Sequence, residues 1–197
     1  MQRDLSADYW NQRYLNKSTQ WDLGAVSPPL QQYINQLSNK SISILIPGAG
    51  NSYEAIYLME QGFTNITVVD IAKSVIDQLN HQYPNQTQIH FIHADFFTWQ
   101  GQYDLIIEQT FFCAIDPQLR TAYVAKMASL LAPDGYLVGL LFNRSFENGP
   151  PFGGDQHSYE SIFTKHLQLH KMEKCYNSAA PRANTELFFI ASGQTTK

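Results

Sequence analysis

Four short stretches of this chain combine residue types at spacings that suit ligand chemistry. Gly48 and Gly50 flank Ala49 directly after an apolar run. Glycines there let a ligand approach the backbone closely and permit a tight turn. Asp70 follows Gly50 by twenty residues and closes a second apolar run. That is the interval at which an acidic residue can accept hydrogen bonds from ribose hydroxyls. Asp95 and Phe96 close a third run, and Glu108 and Gln109 close a fourth. An aspartate beside an aromatic ring offers a polar contact and an apolar wall, the pair an adenine ring needs. Asp70 and Asp95 would also serve as plain helix caps. Their arrival one per apolar run is what favours a ligand site.

The third glycine of a dinucleotide fingerprint would stand at position 53, and Tyr53 occupies it. A pyrophosphate turn and close helix–strand packing both want a small residue there. S-adenosylmethionine (SAM) has no pyrophosphate and makes no such demand. A nicotinamide-dependent oxidoreductase is therefore the weaker alternative. A non-catalytic SAM-binding protein would carry the same binding residues and stays open.

These groups must be held by alternating strands and helices. Strands are predicted over 43–46, 66–69, 90–93, 103–107 and 136–142. Helices are predicted over 52–61, with Ser52 as N-cap, over 72–82, and over 117–131, with Asp116 as N-cap and Pro117 first. An extra helix is expected over 27–37 and a short one over 159–165. Runs 171–176 and 186–191 are expected to pair antiparallel at a sheet edge. Residues 1–26 show no clear period. Residues 145–156, rich in Gly, Pro and Asn, read as a mobile loop. The pattern predicts one α/β domain over 1–197. Its sheet is Rossmann-like, doubly wound, seven-stranded and mostly parallel, with helices on both faces. In such sheets ligands sit beyond the carboxyl ends of the strands.

Composition narrows the class. The apolar share is 44%, with 12 Phe and 11 Tyr, enough for a sizeable core. Net charge is −4 and no Lys or Arg adjoins another, so no nucleic-acid partner is expected. No apolar stretch reaches the roughly 20 residues a membrane helix needs, and the N-terminus has no signal-peptide core. A cytoplasmic monomer acting on a small molecule, with no membrane partner, is the expectation. Cys113 and Cys175 form no metal or redox spacing, and both read as buried thiols. His90 and His93 lie three apart on a predicted strand and so face opposite sides. No metal site is expected.

The stretches LIPGAGNSYEA, VVDIA, HADFFTW and EQTFFCAIDPQLR resemble the thiopurine S-methyltransferase family. They are most similar to its halide and thiol methyltransferase branch. The W-x10-WDLG pattern at 10–24 and GPPF at 149–152 resemble that branch too. The resemblance implies SAM as methyl donor and S-adenosylhomocysteine (SAH) as product. It places Trp10, Tyr14 and Trp21 on an N-terminal segment, within 1–26, that folds over bound SAM. Tyr14 stands where family members often have Trp. The resemblance puts Gly48, with Gly50, against the methionine part and Asp70, with Ile71, against the ribose. Asp95 and Phe96 fall against the adenine. Gln109 falls where the halide branch has Tyr. Phe112, Pro151 and Phe152 are implied on the substrate side, with 145–156 closing over the acceptor. Arg182 is a candidate to attract an anionic substrate. Glu108 is a possible catalytic carboxylate, with capping or binding of the SAM amino group as its preferred role. No His–Asp pair stands at a strand end to deprotonate an acceptor. This fits a soft nucleophile: a thiol, thiopurine, thiocyanate or halide. Cys113, with no basic neighbour in sequence, is not expected to be a nucleophile.

Overall fold

The computed structural model describes residues 5–194. Seven strands form one sheet: β1 Ile44–Pro47, β2 Ile66–Asp70, β3 Ile89–His93, β4 Tyr103–Gln109, β5 Leu131–Phe142, β6 Leu167–Lys174 and β7 Glu186–Gly193. Their order is β3-β2-β1-β4-β5-β7-β6. The first five pair parallel, and β7 runs antiparallel to both β5 and β6. This is the mostly parallel sheet with an antiparallel C-terminal edge that the alternation predicts. The direction of winding reverses between β1 and β4. A crevice opens at such a switch point.

Every residue of β1 and β2 is buried. Strands covered on both faces read as unbroken apolar runs, which is why SILI and ITVV stand out in the sequence. Ile44 and Ile46 face one core and Leu45 the other, as the two-residue period requires. On the first face pack α2 (Pro28–Asn35), α3 (Tyr53–Glu60) and α4 (Lys73–Gln82), through Leu30, Ile34, Leu58 and Leu79. The second face is covered by α5 (Arg120–Leu130) and α6 (Gln156–Phe163), through Tyr123, Met127 and Phe163.

Local readings shift in several places: β6 lies over Leu167–Lys174 rather than 171–176, α6 lies over Gln156–Phe163 rather than 159–165, and four further changes bear on the site. A helix, α1 (Ala7–Leu15), occupies the segment that showed no period. Ser6 caps it by accepting from the Tyr9 N–H at 3.3 Å. None of its residues is fully buried, so no apolar stripe marked it. Ser52 is not a side-chain N-cap. It sits at φ +56° and its hydroxyl donates to the Ala49 carbonyl at 3.1 Å. Asp116 does cap, but the first turn, Pro117–Leu119, is a 3-10 turn before α5 begins. Strand β5 starts at Leu131, five residues earlier than expected. It carries Asp134 at φ +63° inside it, and the β4–β5 register shifts there.

Among the described residues no helix is long and apolar enough to cross a membrane. No group of three or more potential metal ligands occurs among them.

Candidate active site

The turn after β1 is locked from below. The Gly48 N–H donates to the Val69 carbonyl at 2.8 Å. Gly48 has φ +82°, and a Cβ there would lie 2.9 Å from Phe111 Cδ2. Gly48 is therefore needed for both conformation and space. Asp70 staples this turn to the next one. Its Oδ2 accepts from the Ala49 N–H and its Oδ1 from the Ala72 N–H, both at 2.7 Å. Burial pushes the Asp70 carboxyl up, and these N–H groups pull it back. After β3, Asp95 accepts from the Phe97 N–H at 2.9 Å. The Phe96 ring meets Phe111 edge-on at 5.1 Å.

The end of β4 divides its two polar residues. Glu108 is fully buried. Its Oε1 accepts from the Phe111 and Phe112 N–H groups, each at 3.0 Å, and its Oε2 from the Tyr123 hydroxyl at 2.9 Å. Burial pushes its carboxyl up to about 7. Glu108 thus caps the turn that follows β4, where Thr110 has φ +62°. Gln109 points elsewhere: it lines the cavity described below, and its Oε1 is buried without a hydrogen-bond partner. Cys113 also lines the cavity. Burial, then the charge of Glu108, pushes its thiol up; Arg182 and Arg120 oppose this more weakly. Basic residues do therefore come near Cys113, contrary to the sequence reading, but burial dominates.

A strap formed by α1 and the residues that follow it crosses this edge of the sheet. Trp21 meets Trp10 at 5.7 Å and Tyr14 at 6.0 Å, both edge-on, and the Arg13 guanidinium lies 5.3 Å from its ring. The Asn11 side chain accepts from the Ser74 N–H at 2.9 Å. Asp22 accepts from the Gly24 N–H at 2.7 Å, from Asn51 Nδ2, and from the Tyr53 hydroxyl at 3.4 Å. Tyr53, whose bulk argued against a dinucleotide, thus braces the strap. Tyr14 is pushed well above its ordinary value by burial, with Asp70 adding to the effect.

Together these parts enclose a cavity of about 450 Å³ at the carboxyl ends of the strands. That volume suits a nucleoside-sized ligand. Every residue expected on the cofactor side lines it except Glu108. On the substrate side only Pro151 does. Phe112 is buried in the second core between Tyr123 and Tyr159, and its neighbour Phe111 lines the cavity instead. Phe152 turns its backbone to the protein. Its N–H donates to the Cys113 carbonyl at 2.6 Å, and its carbonyl accepts from Arg120 at 2.9 Å. Arg120 also donates to the Gly153 carbonyl at 3.1 Å. The far end of the loop expected to be mobile is therefore pinned. Arg182 is 6% exposed and does not line the cavity. Its guanidinium pairs with Glu186 at 3.2 Å and donates to the Trp21 carbonyl at 2.5 Å. It anchors the strap rather than offering a free charge.

Sequence reasoning missed Asp22, Glu54 and Asp116 as cavity residues. Asp22 lies inside the WDLG motif, where its signal was available. Glu54 had none, because its helix register alone turns it inward. The cavity carries five carboxylates, Asp22, Glu54, Asp70, Asp95 and Asp116, and no Lys, Arg or His among its described lining residues.

Comparison with known proteins agrees with this geometry. The family described as Thiopurine S-methyltransferase (TPMT) matches residues 5–190. A probable thiol methyltransferase 2 of Arabidopsis thaliana is 31% identical over 165 residues, 80% of this chain and 72% of that protein. Thiocyanate methyltransferase 1 of the same plant is 30% identical, covering 78% and 70%. Among solved structures, the Burkholderia thailandensis 1,6-didemethyltoxoflavin-N1-methyltransferase with bound SAH shares the fold. Its TM-score is 0.75 at 17% identity, covering 95% of this chain and 87% of that one. A sheet with its crevice at the β1–β4 switch point and a family match across nearly the whole chain lead to one conclusion: the protein belongs to the thiopurine S-methyltransferase family and is a SAM-dependent methyltransferase.

Proposed function

We propose that the cavity holds SAM under the N-terminal strap and that its methyl passes in line to a small soft nucleophile: a thiol, thiopurine, thiocyanate or halide. The observation that carries this reading is the cavity wall itself, five carboxylates with aromatic faces and no cation among the described lining residues. Such a wall suits a cationic donor. An aromatic face such as Trp21 adds about 0.5–2 kcal/mol toward a nearby cation.

The roles follow from position. Asp70 faces the ribose with the lone pairs its main-chain bonds leave free, and Ile71 lies beside it. Asp95 and Phe96 flank the adenine. The turn at Gly48 and Gly50 meets the methionine part, with Gln109 opposite. Trp10, Tyr14 and Trp21 close over the top. Bound there, the sulfonium supplies an activated methyl. The protein's own share is to hold the two reactants in line and exclude water, which can lower the barrier by up to ~7–11 kcal/mol.

No protein base is required. Glu108 is shut behind the β4 turn, and Cys113 keeps its proton. An acceptor that arrives ionised needs no proton removed. Arg120, which donates to the Phe152 and Gly153 carbonyls, puts a positive charge next to the Pro150–Pro151 end. We also assign the whole chain to one domain, a monomer acting on small molecules rather than nucleic acid.

The test is SAH release from SAM across iodide, thiocyanate, hydrosulfide, a small thiol, a thiopurine and a phenol. Turnover with the soft nucleophiles and none with the phenol is expected. Preference for the phenol would require a base that this reading denies.

A further inference from the structure

Of the five cavity carboxylates, three reach water: Asp22 is exposed, and Asp95 and Asp116 are half-buried. Only Asp70 and Glu54 are buried, each 8% exposed. These two differ sharply in compensation. Asp70 holds a main-chain N–H on each oxygen at 2.7 Å. Glu54, in the first turn of α3, accepts from the Ser27 N–H at 3.3 Å and from its own N–H. Arg182 acts on Glu54 only at a distance, since its guanidinium is bound to Glu186 and the Trp21 carbonyl. A buried carboxylate without a bonded cation is costly unless something else supplies the positive charge. Glu54 lines the cavity from the first turn of the helix that directly follows the Gly48–Gly50 turn.

We propose that Glu54 is the counter-ion for the α-ammonium of the cofactor, so that the site recognises the amino-acid end of SAM and SAH by charge. This rests on the cofactor reading above and refines it. The ammonium donates N–H bonds; Gln109 Oε1 is also a buried lining acceptor without a partner but carries no charge, and of the two buried lining carboxylates Glu54 is the one without a short main-chain bond on each oxygen. Asp70 is thereby left to the ribose. The site should discriminate against adenosine thioethers that lack the amino group, whatever the acceptor.

The experiment compares SAH with its deaminated analogue, in which hydrogen replaces the α-amino group. Calorimetry is run on the wild type and on Glu54→Gln. A charge-assisted hydrogen bond is worth about 10- to 100-fold in affinity. Wild type should bind SAH tighter than the analogue by that factor. Glu54→Gln should lose affinity for SAH and bind the two ligands within about threefold of each other. A merely structural Glu54 would weaken both ligands equally and leave the gap intact, which overturns the proposal. Equal binding of the two ligands by the wild type overturns it without any variant, so it can fail even if Glu54→Gln does not fold. Binding of neither ligand by wild type would overturn the cofactor reading itself.

Discussion

The two halves of the cavity are built by different means. The strand-end half, comprising the turns after β1, β2 and β3, is held by main-chain bonds. Gly48 is tied to Val69, and Asp70 grips Ala49 and Ala72. The strap half hangs on a handful of side chains: Asn11 on Ser74, Asp22 on Asn51 and Tyr53, and Arg182 on the Trp21 carbonyl. Backbone locked within a buried sheet opens only with the core. A segment held by few buried contacts opens locally at low cost. The difference assigns preorganisation to the first half and cofactor entry to the second.

Substitutions can break this comparison, and the largest effect is expected at Arg182. Arg182→Ala leaves Glu186 buried without its partner and frees the Trp21 carbonyl. A stability loss of about 3–5 kcal/mol is expected, read by calorimetric unfolding. An unchanged Tm would mean the strap is not anchored there. Asp70→Ala comes next. It should cost roughly 2–3 kcal/mol of stability through its lost charged hydrogen bonds. It should also abolish measurable SAM binding. Retained affinity by titration calorimetry would remove Asp70 from the ribose. Trp21→Ala should weaken SAM binding by roughly tenfold, the worth of one good aromatic contact. The ligand-free Tm should stay close to wild type. A large fall in Tm instead would make Trp21 part of the core and erase the distinction between the halves.

At Glu108 the expected effect has the opposite sign. Its carboxyl is raised from 4.5 to about 7 in the folded protein. The folded state therefore keeps a proton that the unfolded chain loses in that interval. The stabilisation is complete below about pH 4.5 and is lost as pH rises through about 7. Glu108→Gln keeps the acceptor for Phe111 and Phe112 but cannot titrate. Its Tm should be flatter than wild type's between those limits and higher above pH 7. Coincident curves would show that Glu108 carries no such burden.

The same divide explains what the sequence made legible. Buried parallel strands are continuous apolar runs, so their ends, and with them Gly48, Asp70 and Asp95, can be located by eye. The strap's helix exposes part of every residue, so no apolar period marked it. Arg182 meets Trp21 across 161 positions, a contact no local pattern encodes. Phe111 rather than Phe112 faces the cavity because Thr110 turns the chain at positive φ, and an FF pair does not say which ring goes in. Glu108 and Gln109 are adjacent, yet strand alternation sends one into the core and the other to the cavity.

Hydrogen exchange on the wild type with and without SAH tests the central claim most directly. One ligand should slow exchange in both halves, at 48–54 and 70–72 and across 19–25. The strap should show the larger change, because it starts from the more open state. Unchanged exchange in both halves, with SAH demonstrably bound, would place the cofactor outside this cavity and contradict the account.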